Sequence, residues 1–363
     1  MLGDLGAWKT EALYKAMLVH PRFTPLLVIS KTFEEDDRNN LKNYCIEKEY
    51  NFYESENTSD PMWHKHRPDI IFYQKGYGYE FINNLRSLLC YSPYGFRSSL
   101  EDWSFKTSCF YHCWQIYYEN NVLNRYYTSE MGHGADNGYA TGIPPMDEMS
   151  VPKDLLEDPW KGNSKKIRII YAPHHSINPE NWWQTSTFLE TGEMMLELAE
   201  KYSDRIQWAF KPHPLLRYKL EKIWGKDKTD AYYDKWATSE WSQYESGKYL
   251  GLFKHSDAMI HDCGSFVEEY FCSGKPVMYL VRPDGIEQNW NEIYKKAFDL
   301  HYKGSTINDI EEFINNVLEG TDNLKSERES FYAEHLTPPF GKSACDNIID
   351  CILYRKKARK FKK

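Results

Sequence analysis

The sequence predicts an α/β protein with parallel sheets, arranged as two Rossmann-like domains with a cleft between them. Three observations lead there. Short apolar runs alternate with helix-like segments, the pattern of a parallel sheet. That alternation occurs twice, on either side of Val151–Ser164, a stretch with the polar and proline content of a linker. At 363 residues the chain also exceeds what one compact core usually supports.

The elements follow in order. Trp8 to Val19 reads as the first helix of the first half, with almost nothing ahead of it. The strand that would initiate such a domain is therefore absent from the chain or cut from it. Pro25-Leu-Leu-Val-Ile-Ser30 reads as a buried strand and Asp36 to Glu49 as a polar helix. Asp69-Ile-Ile-Phe-Tyr-Gln74 is a strand introduced by the breaker Arg67-Pro68, and Leu88-Leu-Cys-Tyr91 a shorter one that ends at Ser92-Pro93-Tyr94-Gly95. In the second half, Lys166 to Ala172 is a strand, and Thr187 to Tyr202 has helical periodicity through Phe188, Met194, Met195 and Leu198. Ile206 to Phe210, Asp257 to Ile260 and Pro276 to Val281 read as further strands. Ile307 to Leu318 reads as a helix with Thr306 and Asn308 as candidate caps. The expected domains are 1–150, 165–335 and a terminal helix with a basic tail at 336–363.

Composition narrows the function. A net charge of −8 argues against general nucleic-acid binding, which needs a basic footprint. No apolar run approaches the roughly 20 residues of a membrane span, and Met1 to Thr10 does not read as a signal peptide. The eight cysteines include no CxxC pair, so reduced thiols in a cytoplasmic protein are expected. The aromatic share of 16% suits either a sugar- or nucleoside-handling surface or a core filled with Tyr and Trp. Arg355-Lys-Lys-Ala-Arg-Lys-Phe-Lys-Lys363 breaks the acidic pattern. It reads as a solvated end or as a grip on anionic lipid at the inner face of the membrane.

Three polar motifs carry the chemistry. Tyr171-Ala-Pro-His-His-Ser176, Lys211-Pro-His-Pro214 and His261-Asp-Cys-Gly-Ser-Phe266 each follow a predicted strand. Ligands of open parallel sheets bind beyond the carboxyl ends of the strands, so the three describe one polar crevice suited to an anionic, phosphorylated ligand. Gly264 and Ser265 open a helix-like run, where amide N–H groups and the dipole favour a phosphate. Asp262 and Glu269 stand close by, as carboxylates for ribose hydroxyls. Lys211 and His213 sit in a turn stiffened by two prolines and suit a diphosphate contact or proton transfer. His174 and His175 are adjacent, so an extended segment points them to opposite sides, one toward the crevice and one into packing. Metal binding through that pair is not expected, because no third histidine or carboxylate follows at ligand spacing. His64, His66 and Arg67 precede a strand and read as surface residues.

Together these residues resemble the CDP-glycerol glycerophosphotransferase family, which includes wall and capsule teichoic-acid polymerases. The matching segments are Tyr171–Ser176, Ser186-Thr187-Phe188, Lys211–Pro214, and Ser256-Asp257 through Asp262–Tyr270 with Lys275-Pro276. Tyr91-Ser-Pro-Tyr-Gly-Phe96 and Thr141-Gly-Ile-Pro144 with Asp147 add to it. The resemblance implies a GT-B fold and transfer of glycerol phosphate, or a related polyol phosphate, from a CDP-activated donor to an acceptor hydroxyl, releasing CMP. The acceptor would be a glycan or a lipid-linked polymer, and no cofactor or metal is implied. His213 and Lys211 would meet the donor diphosphate, Gly264, Ser265 and Phe266 would hold a phosphate, and Glu269 would reach the ribose. Asp262, Ser176, Ser186 and Thr187 complete the implied binding set. The family's polymerases carry a Trp-His-Gly-Thr segment whose His is a candidate base, but the matching strand end here is Tyr91–Phe96, without one. Tyr94, Arg97, His174 or His175 would then act as base. Two other readings share these features: a GT-B glycosyltransferase using a nucleotide sugar, and a non-catalytic binding module.

Overall fold

The computed structural model describes residues 8–30, 35–55, 67–74, 87–98, 112–131, 137–162, 165–178, 186–282 and 290–354. His64, His66 and the basic tail lie outside the described residues. The chain divides into two compact units, Met1–Ser150 with Leu336–Lys363, and Val151–His335.

The first unit contains α1 (Glu11–Leu18), β1 (Leu27–Ser30), α2 (Glu35–Glu47), β2 (Phe52–Ser55), β3 (Ile70–Tyr73), β4 (Leu88–Tyr91), β5 (Gln115–Tyr118), α3 (Asn121–Met131), β6 (Gly138–Ala140) and α4 (Pro144–Met149). β1 and β2 form a parallel pair, and β3-β4-β5-β6 a parallel sheet in that order. The predicted strands and helices of this half are present within a few residues of their expected limits. β5 was not legible. Its four residues are all buried, with Ile116 and Tyr118 in one apolar cluster and Tyr117 in another, so no polar face produces an alternation.

The C-terminal helix Ala344–Tyr354 belongs to this first unit. Ile348, Ile349 and Cys351 share a buried cluster with Leu13, Met17 and Tyr117. Its start is held by Asp147, whose carboxylate accepts the Ala344 and Cys345 amides at 2.7 and 2.8 Å. A carboxylate there satisfies amides that the helix cannot pair and complements its dipole.

The second unit contains β7 (Ile167–Ala172), α5 (Phe188–Lys201), β8 (Ile206–Phe210), α6 (Leu215–Trp224), α7 (Lys226–Thr238), β9 (Ser242–Tyr244), α8 (Leu250–Lys254), β10 (Ala258–His261), α9 (Phe266–Glu269), β11 (Val277–Leu280), α10 (Glu292–Asp299), β12 (Tyr302–Gly304), α11 (Ile307–Glu319) and α12 (Lys325–His335). Its six strands are all parallel, in the order β9-β8-β7-β10-β11-β12. In order of appearance that is 3-2-1-4-5-6, the Rossmann arrangement, and the order reverses between β7 and β10. Much of the aromatic surplus is core. Trp208, Trp236, Tyr171 and Phe210 are fully buried, with the Phe210 and Trp236 rings stacked at 5.1 Å. Thr306 is the cap of α11, paired reciprocally with Asp309, and Gly320 ends that helix at φ +76°.

Candidate functional site

The reversal in strand order fixes where the second unit can take a ligand. β7 and β10 are paired neighbours, but the chain leaving β7 leads to β8 on one side of the pair and the chain leaving β10 to β11 on the other, which leaves a crevice beyond their carboxyl ends. His174 follows β7 by two residues, and Asp262 directly follows β10. The end of β8 is drawn to the same place, because the ladder continues past the strand. Lys211 N–H donates to Tyr171 O at 2.8 Å, and His213 N–H donates to Pro173 O at 2.9 Å. The two histidine-bearing loops are thereby bound together.

The result is a cluster of three imidazoles. Ring centroids lie 4.3 Å apart for His174 and His175, 4.0 Å for His175 and His213, and 5.1 Å for His174 and His213. This overturns two sequence expectations. After Ala172 the chain leaves the extended conformation, so His174 and His175 do not point to opposite sides. A third histidine is also present, supplied by the neighbouring strand rather than by local spacing. One ring nitrogen from each of the three falls within 4.8 Å of the others, a separation from which a metal ion could be held.

Hydrogen bonding favours a different use of these rings. His213 Nδ1 accepts the Leu215 amide at 3.1 Å, and His174 Nδ1 accepts the Ser176 amide at 3.3 Å. His175 Nδ1 lies 2.8 Å from Lys219 Nζ, which when charged can only donate. A neutral ring that accepts at Nδ1 carries its proton on Nε2. Three Nε2–H donors suit an anion, whereas a metal would need Nε2 lone pairs with Nδ1–H held by acceptors. The rings are neutral. Burial, with neighbouring imidazole and lysine charge, pushes His213 down to about 3, and burial with Lys219 pushes His175 to about 4. His174 is held well below its usual value, by burial first and then by the other two rings. Lys219, on α6, was not singled out from sequence, since a surface helix lysine carries no local signal. Burial lowers its own pKa.

Asp262 organises the back of the crevice and is 1% exposed. Its Oδ1 accepts the His174 amide at 2.5 Å. Its Oδ2 accepts the Ser186 hydroxyl, the Thr187 amide and the Thr187 hydroxyl at 3.0, 2.7 and 3.2 Å. Burial raises its pKa to about 6 against the lowering effect of those donors. Ser176 is buried as well, accepting the Ser186 amide at 3.2 Å. Asp262, Ser176, Ser186 and Thr187 thus bond to one another and to the loop that bears His174.

The phosphate site expected at Gly264-Ser265 has less behind it than the sequence suggests. α9 has four residues before it tightens into a 3₁₀ turn, so few peptide dipoles align. The Phe266 and Val267 amides already donate to Cys263 O and Gly264 O. Ser265 is exposed, Phe266 packs against Tyr249 and Phe253, and Glu269 is 4% exposed with the Tyr249 hydroxyl donating to its Oε2. Lys211, 6% exposed, places Nζ 5.8 Å from the Tyr249 ring centroid. Tyr94 and Arg97 belong to the first unit. Tyr94 is exposed, and the Arg97 amide donates to Glu119 Oε1 at 2.8 Å.

No family model matches the chain, and no curated protein matches it. Solved structures do. A variant of the wall teichoic acid polymerase TagF superposes with a TM-score of 0.65 at 13% identity, over 97% of this chain and 86% of that one. A Staphylococcus aureus MnaA–UDP structure gives 0.60 at 15% identity, over 98% and 95%. UDP-GlcNAc 2-epimerase from Neisseria meningitidis bound to UDP-GlcNAc gives 0.60 at 15%, over 97% and 98%. At these identities the likeness speaks to architecture: the chain is an α/β protein of the GT-B class, made of two Rossmann-like units.

Proposed function

We propose that this protein is a transferase acting on a nucleotide-activated donor, moving glycerol phosphate or a related polyol phosphate from a CDP-linked donor to an acceptor hydroxyl and releasing CMP. The observation that carries the reading is the cluster of three neutral imidazoles with Lys211 and Lys219 at the strand-order reversal. Such a group hydrogen-bonds an oxyanion through several N–H donors and adds positive charge without any proton having to move first. Phosphoryl transfer is accelerated chiefly by positioning and by stabilising charge on the transferring group. In this reading His213 and Lys211 meet the donor diphosphate, His174 and His175 complete the cradle, and Gly264 with Ser265 contacts the distal phosphate. Glu269 reaches the ribose beside Tyr249. Asp262, Ser176, Ser186 and Thr187 act behind the cradle, holding the loop that bears it. The first unit, with Tyr94 and Arg97, serves the acceptor, a glycan or lipid-linked polymer. The basic tail grips an anionic inner membrane surface. The TagF likeness and the family motifs support the choice of a CDP-polyol.

The UDP- and UDP-GlcNAc-bound neighbours favour a second reading, a nucleotide-sugar enzyme of the same fold. A screen of CDP-glycerol, CDP-ribitol and common nucleotide sugars separates the two. CMP release from a CDP-polyol, undiminished in excess chelator, is expected. Nucleoside diphosphate release from a sugar donor alone would favour the second reading. Activity lost in chelator and restored by magnesium would show that side chains do not supply the charge.

A further inference from the structure

The helix that leads out of the second histidine-bearing loop is apolar on two sides. α6 directly follows Pro214, and its core stripe of Leu216, Leu220 and Trp224 packs into the main apolar cluster of the second unit. A surface helix ordinarily has one such stripe and turns polar residues outward. α6 repeats the pattern toward solvent: Leu215, Tyr218 and Ile223 are 49%, 59% and 49% exposed. With Lys219 and Lys222 they fall at i, i+3, i+4, i+7 and i+8, so they make one continuous face rather than scattered positions. No other helix or strand among the described residues exposes more than one large apolar side chain.

The charge on this face has one sign. Lys222 places Nζ 4.1 Å from the Tyr218 ring centroid, and Lys219 reaches back to His175 at the crevice. Glu221, the one carboxylate of α6, is turned aside to Arg217, whose guanidinium also takes Asp230 at 2.7 Å. Neither Lys219 nor Lys222 has a carboxylate within ion-pair range among the described residues. In a chain of net charge −8 that is a local reversal, and it selects an anionic partner. A second copy of the chain fits poorly, because a symmetric contact through this face would set Lys222 near its own equivalent. The face is also narrow. A helix of ten residues is about 15 Å long, whereas a stable protein interface takes roughly 20–30 residues a side. Leu, Tyr and Ile interleaved with Lys are the composition of a helix that lies in an anionic lipid interface. There the tyrosine keeps its hydroxyl wet, and the lysine stem lies along apolar surface while its ammonium meets phosphate.

We propose that the outward face of α6 docks the second unit on an anionic bilayer surface. Leu215, Tyr218 and Ile223 enter the boundary between headgroups and acyl chains, and Lys222 meets lipid phosphate. The contact is separate from the basic tail and does not depend on which donor the protein uses. Weak membrane signals of this kind hold a protein firmly only in combination. The face also adjoins the crevice, since the Leu215 amide donates to His213 Nδ1 at 3.1 Å. A bilayer held against α6 therefore lies beside the imidazole cluster.

The test is co-sedimentation of the full chain, without donor, with vesicles of phosphatidylcholine alone and of phosphatidylcholine with about one third phosphatidylglycerol. The wild type should sediment with the anionic vesicles and much less with the neutral ones. Tyr218→Ser combined with Ile223→Ser should lower partitioning into the anionic vesicles about tenfold or more, the effect of losing two inserted apolar side chains. Lys222→Gln should lower it about fivefold at low salt and by less at high salt. All three side chains are exposed, so the melting temperatures and the Kd for CDP in the absence of vesicles should match the wild type. Variants that bind vesicles as the wild type does overturn the proposal. If replacing the basic residues of the tail with Gln then abolishes binding, the attachment belongs to the tail alone. Equal binding of the wild type to neutral and anionic vesicles overturns the anionic choice. A wild type that ignores vesicles also overturns it, and self-association abolished by the Tyr218 and Ile223 changes would assign the face to a second copy. Because no donor is present, failure of the transferase reading leaves this result standing, and failure here leaves turnover of a CDP-polyol untouched.

Discussion

His213 is the residue on which the proposed donor site turns. It lies at the join of two loops, its amide on Pro173 O and its ring against His174 and His175. If the ring stabilises charge on the donor, His213→Ala should cost roughly 2–4 kcal/mol of transition-state stabilisation, the effect of losing one preorganised donor. Its half-buried ring contributes little to the core, so the melting temperature should move by no more than a few degrees. Kinetics and a thermal melt on the same variant decide the matter: normal turnover with a lowered melting temperature would make the histidine structural. At this scale the sequence was informative in part. Lys211, His213 and the His174-His175 pair were legible because strand-end motifs mark a crevice. Lys219 was not, because a single charged residue on a helix has no distinguishing pattern, and only its tertiary placement beside His175 gives it meaning.

Among the elements, the C-terminal helix depends most visibly on one contact. Asp147 accepts both the Ala344 and the Cys345 amide, and Asn347 adds a hydrogen bond to Thr141 O at 3.1 Å. Asp147→Ala leaves two amides without their partner at a helix start, which should destabilise the first unit by about 2 kcal/mol, in the range for a charged hydrogen-bond acceptor. Denaturant melts of the variant check this, and an unchanged midpoint would show that water serves the two amides equally well. α1, α2, α5 and α11, and the strands β1, β3, β4, β7, β8, β10 and β11, could be read from sequence because each has apolar residues at helical spacing or a continuous apolar run, whereas α3, α6, α7, α10 and α12 were not singled out. β9 (Ser-Gln-Tyr) and β6 (Gly-Tyr-Ala) could not, since three residues carry no period. Similarly, the phosphate-binding helix expected after Gly264 is only four residues long, a limit set where the chain tightens at Tyr270, and no N-terminal signal reports length.

For the whole molecule, buried histidines set the response to acid. His261 is fully buried and pushed down by burial to about 3, and His301, packed 5.3 Å away ring to ring, is also held well below its usual value. Both remain neutral in the fold but titrate near 6.5 when unfolded. The unfolded chain therefore binds more protons below that pH, and stability falls as the pH falls. By pH 5 His261 alone should have withdrawn roughly 2 kcal/mol, and His301 acts in the same direction. His174, His175 and His213 act in the same direction. Asp262, raised to about 6, acts in the opposite one, but it is a single group. The thermal transition of the second unit should drop clearly between pH 7 and 5, and a level profile across that range would contradict the burial of these rings. The fold class was legible at this scale because alternation and length both report it. The strand order, and with it the reversal between β7 and β10, was not, since pairing partners lie far apart in sequence.

The attachment of Ala344–Tyr354 to the first unit has a further consequence for how the protein is made. The second unit is a single uninterrupted span, Val151–His335, enclosed between two parts of the first. A ribosome delivers the whole of that span before it delivers the helix that covers Leu13, Met17 and Tyr117. The second unit can thus acquire its complete core during synthesis, while the first, although begun earlier, must wait with an apolar face uncovered until Ala344–Tyr354 has been made. Of the two units, the one started first is finished last, and a premature stop between His335 and Ala344 would release a chain with that apolar face uncovered.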